Sequence, residues 1–140
     1  MARTESFRRQ HRDLSQLATE IALRLTPEEI ERDPGELRRM IARFAGKLRV
    51  HSRMENEALY PELLRHPAPE VRATAERLFA DLGAIYGTFD VFEARWPDAA
   101  SLAREPRAFV IATLELFETL RRRITLENRT LYPMVDALGE

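Results

Sequence analysis

The chain of 140 residues contains no cysteine, which excludes disulfides, thiolate metal sites and thiol catalysis and leaves only nitrogen and oxygen donors for any metal. Histidine is scarce too, at three residues. Neither charge sign is in excess: 22 basic side chains stand against 23 acidic ones, so no global field points to nucleic acid or an anionic membrane as partner. Apolar runs of signal-peptide or transmembrane length are missing, and the expectation is a soluble, unexported, cytoplasmic protein with no membrane partner. Period-two alternation and Asn-Gly or Asp-Gly turns are also lacking, so a sheet has no support. Without G-x-S-x-G, a Walker loop or a dinucleotide glycine fingerprint, hydrolase, NTPase and Rossmann assignments fall away.

What is present is an apolar fraction of 44%, enough for one sizeable core, and a single domain over residues 1–140 is expected. Apolar residues recur three and four apart along four stretches. The first runs from Ser6 to Leu25 through Phe7, Leu14, Leu17 and Ile21. Thr26-Pro27 and Asp33-Pro34 then read as caps followed by proline at the first helical position, around a short linking turn. A second stripe runs from Leu37 to Leu63, with Pro61 expected to kink its last turns. The third carries most of the aromatic bulk, from Val71 through Phe79, Leu82, Tyr86 and Phe89 to Trp96. Pro106 opens the fourth, from Phe109 to Leu138, after a short turn at Ser101 to Arg104. The fold class is all-α, an antiparallel up-down four-helix bundle built from two helical hairpins.

An internal repeat supports the two hairpins. His51-Ser52-Arg53-Met54-Glu55-Asn56 followed by Leu59-Tyr60-Pro61 returns as Arg123-Ile124-Thr125-Leu126-Glu127-Asn128 followed by Leu131-Tyr132-Pro133. The copies keep the glutamate, the asparagine and the Leu-Tyr-Pro close, and differ at the leading residue, histidine in one and arginine in the other. His51 and Glu55 lie one turn apart on the buried stripe, as do Arg123 and Glu127, and His11 faces inward between Phe7 and Leu14. Five ionisable groups therefore point into the core, where each unpaired would cost several kcal/mol, so they must satisfy one another or hold an ion. His66, before Pro67 at a helix end, reads as a cap near the surface and not as a ligand. Tyr60 and Tyr132 read as packing residues beside the prolines.

On these residues the chain resembles the hemerythrin-like, HHE cation-binding family, over nearly its whole length. Ferritin-like di-iron bundles fit less well, since no E-x-x-H occurs. The resemblance implies a four-helix bundle with a non-haem di-iron centre, whose pattern is matched at His11, at His51 with Glu55, and at Glu127. It is not matched at Arg123, where a histidine belongs, nor on the third helix, which has no histidine and offers Leu82 and Tyr86 instead. By that analogy one iron keeps all its ligands and its neighbour loses every histidine. The resemblance thus implies a degenerate site of His11, His51, Glu55 and Glu127 for one ion of iron, zinc or manganese, with Arg123 as a fixed charge at the second position. Two metals would require Tyr86 as an oxygen ligand.

Three functions stay open on this reading. A one-ion metal protein would take a divalent metal as its partner and a diatomic gas or peroxide as an exogenous ligand. A metal-free bundle would act as an interaction or sensory module, with Arg123 replacing the lost metal. An enzyme with an open iron site is the third.

Overall fold

The structure, a computed structural model, describes residues 4–138, with residues 82–84 and 86 described by their backbone alone. Among the described residues every regular element is a helix. In chain order these are α1 (Glu5–Ala22), α2 (Pro27–Arg32), α3 (Pro34–Met54), a π-helical turn (Glu55–Leu59), α4 (Tyr60–Leu64), α5 (Pro69–Arg95), α6 (Ala99–Arg104), α7 (Pro106–Leu126), a second π-helical turn (Glu127–Leu131) and α8 (Tyr132–Leu138). Since α3 runs through its π turn into α4, and α7 likewise into α8, the chain has four long helical segments joined by α2, a short loop and α6.

Local signals set most of the boundaries. Thr26 accepts a hydrogen bond from the Glu29 amide at 3.2 Å and Asp33 from the Glu36 amide at 3.0 Å, each ahead of a proline. Asp98 and Ser101 form a reciprocal capping box at the start of α6. The first helix stops at Ala22, not at Leu25: the Arg24 and Leu25 amides bond three residues back, to Ile21 and Ala22. Pro27 forces Thr26 into extended backbone, so the α-helix has to tighten and end first. Leu25 is buried all the same.

In packing, α1 lies against α3 and α7, and α5 against α4 and α7. The short α2 and α6 touch each other, α3 and α7. They supply Ile30 and Leu102, both fully buried beside Leu17, Ile21, Leu37, Trp96 and Phe109 in the larger of two hydrophobic clusters. A smaller cluster gathers Phe7, Leu59, Tyr60, Leu63, Val71, Leu78, Leu131, Tyr132 and Val135. Thr4 ties the start of α1 to α8 through its hydroxyl, 2.9 Å from the Asp136 carboxylate. Two residues assigned to apolar stripes are more exposed than expected. Phe79 is 40% exposed, its ring tilted at 54° against that of Tyr60 with centroids 5.3 Å apart, and Leu138 is 39% exposed as the last residue of α8.

The two clusters are separated along α1, α3 and α7 by polar residues: His11 between Phe7 and Leu14, His51 and Glu55 between Leu48 and Leu59, and Arg123 and Glu127 between Leu120 and Leu131. That layer is where the site is built. If α6 closes the larger cluster, Leu102→Ala will destabilise the chain by about 2 to 5 kcal/mol in urea unfolding. A loss below about 1 kcal/mol would show that α6 contributes no packing there.

Candidate metal centre

Each repeat sets its glutamate at the first residue of a π turn, and the proline six residues later explains why the helix widens there. In a continuous α-helix the Pro61 ring would collide with the carbonyl four residues back, and Pro61 has no amide to offer. The strain is released by letting the Tyr60 amide reach back five residues to the Glu55 carbonyl, and Tyr132 does the same to Glu127. The kink expected at Pro61 is this π turn, and Pro133 has an equal one. The extra residue in each turn brings Tyr60 and Tyr132 into the core beside Leu59 and Leu131.

His11, His51, Glu55 and Glu127 are all buried, and one ligand atom from each lies within 4.8 Å of every other. The His11 and His51 Nε2 atoms are 3.0 Å apart. Glu127 Oε1 is 3.2 Å from His11 Nε2 and 3.9 Å from His51 Nε2, and Glu55 Oε1 is 2.8 Å from His51 Nε2. Each carboxylate turns its other oxygen to a tyrosine of the opposite repeat: Tyr132 donates to Glu55 Oε2 at 2.9 Å and Tyr60 to Glu127 Oε2 at 3.1 Å. This crossing leaves one oxygen per glutamate facing the imidazoles.

The outer nitrogens of both imidazoles are engaged as well. His11 Nδ1 lies 2.8 Å from Asn128 Oδ1, and His51 Nδ1 lies 2.6 Å from Gln10 Oε1, whose amide nitrogen is directed to Met54 Sδ at 3.0 Å. An amide oxygen can only accept, so both Nδ1 atoms carry hydrogen and both Nε2 atoms present lone pairs inward. Two lone pairs at 3.0 Å repel, and either a cation between them or protons on these nitrogens shared with Glu127 and Glu55 relieves the clash. The fit to a cation is good. Donor atoms about 2.1 Å from one ion are about 3 Å apart when adjacent and about 4.2 Å when opposite, close to the contacts of 2.8 to 3.9 Å found here within a set that spans 4.8 Å. Two imidazoles and two carboxylate oxygens form a donor set for zinc, iron or manganese.

Without an ion, the charges of the layer are coupled. Burial pulls His51 down, but hydrogen bonds to Glu127 and Glu55 outweigh it and carry the imidazole up to about 9. Burial pushes Glu55 up to about 7 against the pull of His51. Burial opposes ionisation of Glu127 too, yet hydrogen bonds from His11, His51 and Glu55 and the charge of Arg123 hold it well below the usual carboxylate range. Burial raises both tyrosine hydroxyls, which stay protonated donors.

Arg123 is 7% exposed and sits between the layer and α5. It donates through Nη2 to the Tyr60 hydroxyl at 2.8 Å and through Nη1 to the Leu78 carbonyl at 2.5 Å, while its Nε is 3.7 Å from Glu127 Oε2. Arg123 neighbours Glu127 but makes none of the described contacts of Glu55, whose oxygens go to His51 and Tyr132. The side chains of Leu82 and Tyr86 lie outside the described residues. His66 accepts from the Ala68 amide at 3.0 Å, away from the layer, and serves the linker to α5.

Sequence reasoning placed His11, His51, Glu55, Arg123 and Glu127 in one layer, and the structure brings all five together. It treated Tyr60 and Tyr132 as packing alone, which is wrong for their hydroxyls, and gave no role to Gln10 or Asn128. The repeat held a signal for three of these, because Asn128, Tyr60 and Tyr132 all belong to the duplicated Glu-Asn and Leu-Tyr-Pro segments.

A family model described as the hemerythrin HHE cation binding domain matches residues 3–135. No curated protein and no solved structure matches the chain.

Two outcomes follow for the metal-free protein. The bound proton on His51 stabilises the fold fully below pH 6.5 and is lost as pH rises through about 9, so the His51 contribution to stability falls across that window. Thermal melts of wild type and His51→Gln from pH 6 to 9.5 will show a steeper decline in the wild type; parallel curves would refute the shared proton. Separately, Arg123→Ala will cost about 3 to 5 kcal/mol in urea unfolding, because Glu127 and Tyr60 lose a buried cation. A change under about 1 kcal/mol would mean that the guanidinium is replaced by solvent.

Proposed function

The chain belongs to the hemerythrin HHE cation-binding domain family, and from that premise we propose that it binds one divalent metal ion through His11, His51, Glu55 and Glu127. The observation that carries the reading is the facing pair of Nε2 atoms 3.0 Å apart, each imidazole tied at its other nitrogen to an amide oxygen. Such tethering fixes the ligating tautomer and ring orientation, the role outer partners play around metal-bound histidines. A degenerate di-iron site is the form we infer: Arg123 stands where the family pattern has a histidine, and its guanidinium supplies fixed charge beside Glu127. We infer iron as the resident ion, with zinc or manganese compatible with the same donors.

The wider arrangement fits this role. We read the four long helical segments as an up-down bundle of two hairpins, forming one domain over residues 1–140 in the cytoplasm. No helix among the described residues is long and apolar enough to cross a membrane. A bound divalent ion would supply Lewis-acid chemistry, and as iron one-electron redox chemistry, to a diatomic or peroxide-sized ligand. The chain's own part is to exclude water with the two hydrophobic clusters, to hold the imidazoles through Gln10 and Asn128, and to restrict each glutamate to one ligating oxygen through Tyr132 and Tyr60. No enzyme activity is part of this reading.

One observation favours a second reading, a metal-free bundle acting as an interaction or sensory module. The layer closes its own ion pairs, His11 with Glu127 and His51 with Glu55, at 3.2 and 2.8 Å. Metal content per chain, by elemental mass spectrometry after anaerobic iron loading, separates the two. About one equivalent is expected, with a raised melting temperature, and both lost in His51→Ala. No bound metal and a chelator-insensitive melt would establish the metal-free module instead. Two equivalents would contradict the one-ion site and bring Tyr86 into the ligand set.

A further inference from the structure

Met54 closes α3, one residue before Glu55 and three after His51, and it is 38% exposed, more than Met40 at 6% or the half-buried Met134. Its Sδ lies 3.0 Å from Gln10 Nε2, and Gln10 Oε1 lies 2.6 Å from His51 Nδ1. A surface sulfur is therefore two hydrogen bonds from the ring of a buried candidate ligand. A thioether has no proton to donate, so the Gln10 amide turns its NH2 to the sulfur and its oxygen to His51. That polarity keeps hydrogen on His51 Nδ1 and the Nε2 lone pair inward. The corresponding tether of His11, to Asn128 Oδ1, contains no sulfur.

Gln10 is wedged between its two partners. The amide is planar, so neither end moves without the other, and at 2.6 Å the His51 end has no slack to take up a push. Solvent reaches this place directly, because Met54 is exposed and Gln10 lines an open groove of about 450 Å³ between α1 and α3. A peroxide arriving there oxidises the thioether by two electrons and is itself reduced. The O–O bond breaks and one oxygen bonds to a sulfur lone pair; the other leaves as water or an alcohol, taking the proton of the transferred oxygen. An oxygen added on the Gln10 side fills the 3.0 Å between sulfur and amide and pushes the amide off. An oxygen added on the far side withdraws charge from the remaining lone pair, and the amide nitrogen leaves for the better acceptor. Either course carries the oxygen end of Gln10 away from His51.

We propose that Met54 is a peroxide-oxidisable site that regulates the metal centre: its sulfoxide draws Gln10 off His51 and weakens metal binding. The regulation rests on the one-ion reading above, whereas the release of the His51 ring does not. Partners of this outer kind are worth about tenfold to a hundredfold in metal affinity.

The test treats the full-length, metal-free protein with hydrogen peroxide and follows each methionine by peptide mass spectrometry. Met54 should convert first, ahead of Met40 and Met134. Zn(II), which peroxide does not oxidise, should then bind about tenfold to a hundredfold more weakly than to untreated protein, and methionine sulfoxide reductases should restore the affinity. Met54→Leu should show no effect of peroxide on Zn(II) affinity, while Gln10→Ala should bind weakly before treatment and no more weakly after it. In the metal-free state the His51 Nδ1 resonance should shift on oxidation of the wild type and not of Met54→Leu. Conversion of Met40 or Met134 ahead of Met54, or an unchanged His51 resonance or Zn(II) affinity in the sulfoxide, would overturn the proposal. Zn(II) binding by neither form would overturn the one-ion reading and the regulation with it, and the His51 resonance would still decide the release of the ring.

Discussion

Two imidazole nitrogens facing each other at 3.0 Å, almost wholly removed from water, set the constraint that the rest of the core satisfies. Neither ring can turn away, since Asn128 and Gln10 hold the outer nitrogens. Positive charge has to reach them, as an ion between them or as protons shared with Glu127 and Glu55, and the two carboxylates balance it. Burying those carboxylates is itself costly, and their remaining oxygens need donors that will not ionise. Tyrosine meets that need, because burial raises its hydroxyl further above neutral pH. Each element of the layer thus answers a demand made by its neighbour, and the hydrophobic clusters on either side keep water from meeting it more cheaply.

The duplicated segment gives this layer its symmetry. A tyrosine from each repeat donates to the glutamate of the other, so the α3–α4 and α7–α8 segments are joined by a pair of reciprocal hydrogen bonds through the core. The prolines make this geometry available by opening the π turns, which bring the tyrosines into line with the carboxylates. Where the repeats diverge, at His51 and Arg123, the symmetry of shape survives and that of chemistry does not. His51 points to the centre of the layer, whereas Arg123 extends past it to the Tyr60 hydroxyl and the Leu78 carbonyl of α5.

The parts legible in the sequence are those written in the period of a single helix. Spacing of four puts His51 over Glu55 and Arg123 over Glu127, and flanking leucines show that both pairs face inward, so five members of the layer could be named from the chain alone. What stayed hidden depends on how helices meet. Gln10 is one residue from His11, yet it serves His51 on the neighbouring helix, and nothing in the α1 pattern records that partner. The tyrosine hydroxyls cross between repeats only once the π turns have shifted their phase. Ile30 and Leu102 are fully buried but lie in helices of six residues, too short to show a periodic stripe. Phe79 errs the other way: its spacing fits the stripe of α5, but its ring meets the buried Tyr60 at a tilt and stays 40% exposed.

A guanidinium and a metal ion are unequal ways of balancing a buried carboxylate, and the difference bears on the proposed reading of Arg123 as a stand-in for a second ion. A metal brings charge only when loaded, so a layer that depends on it is incomplete until then. Arginine brings its charge with the chain and cannot release it. Arg123 therefore neutralises the Glu127 end permanently, through a 3.7 Å approach and through Tyr60, while the His11–His51 contact still awaits a proton or an ion. One half of the layer is settled by folding and the other by what occupies it. On the proposed one-ion reading, such a division makes metal binding separable from folding, which a centre needing two ions to balance its carboxylates would not allow.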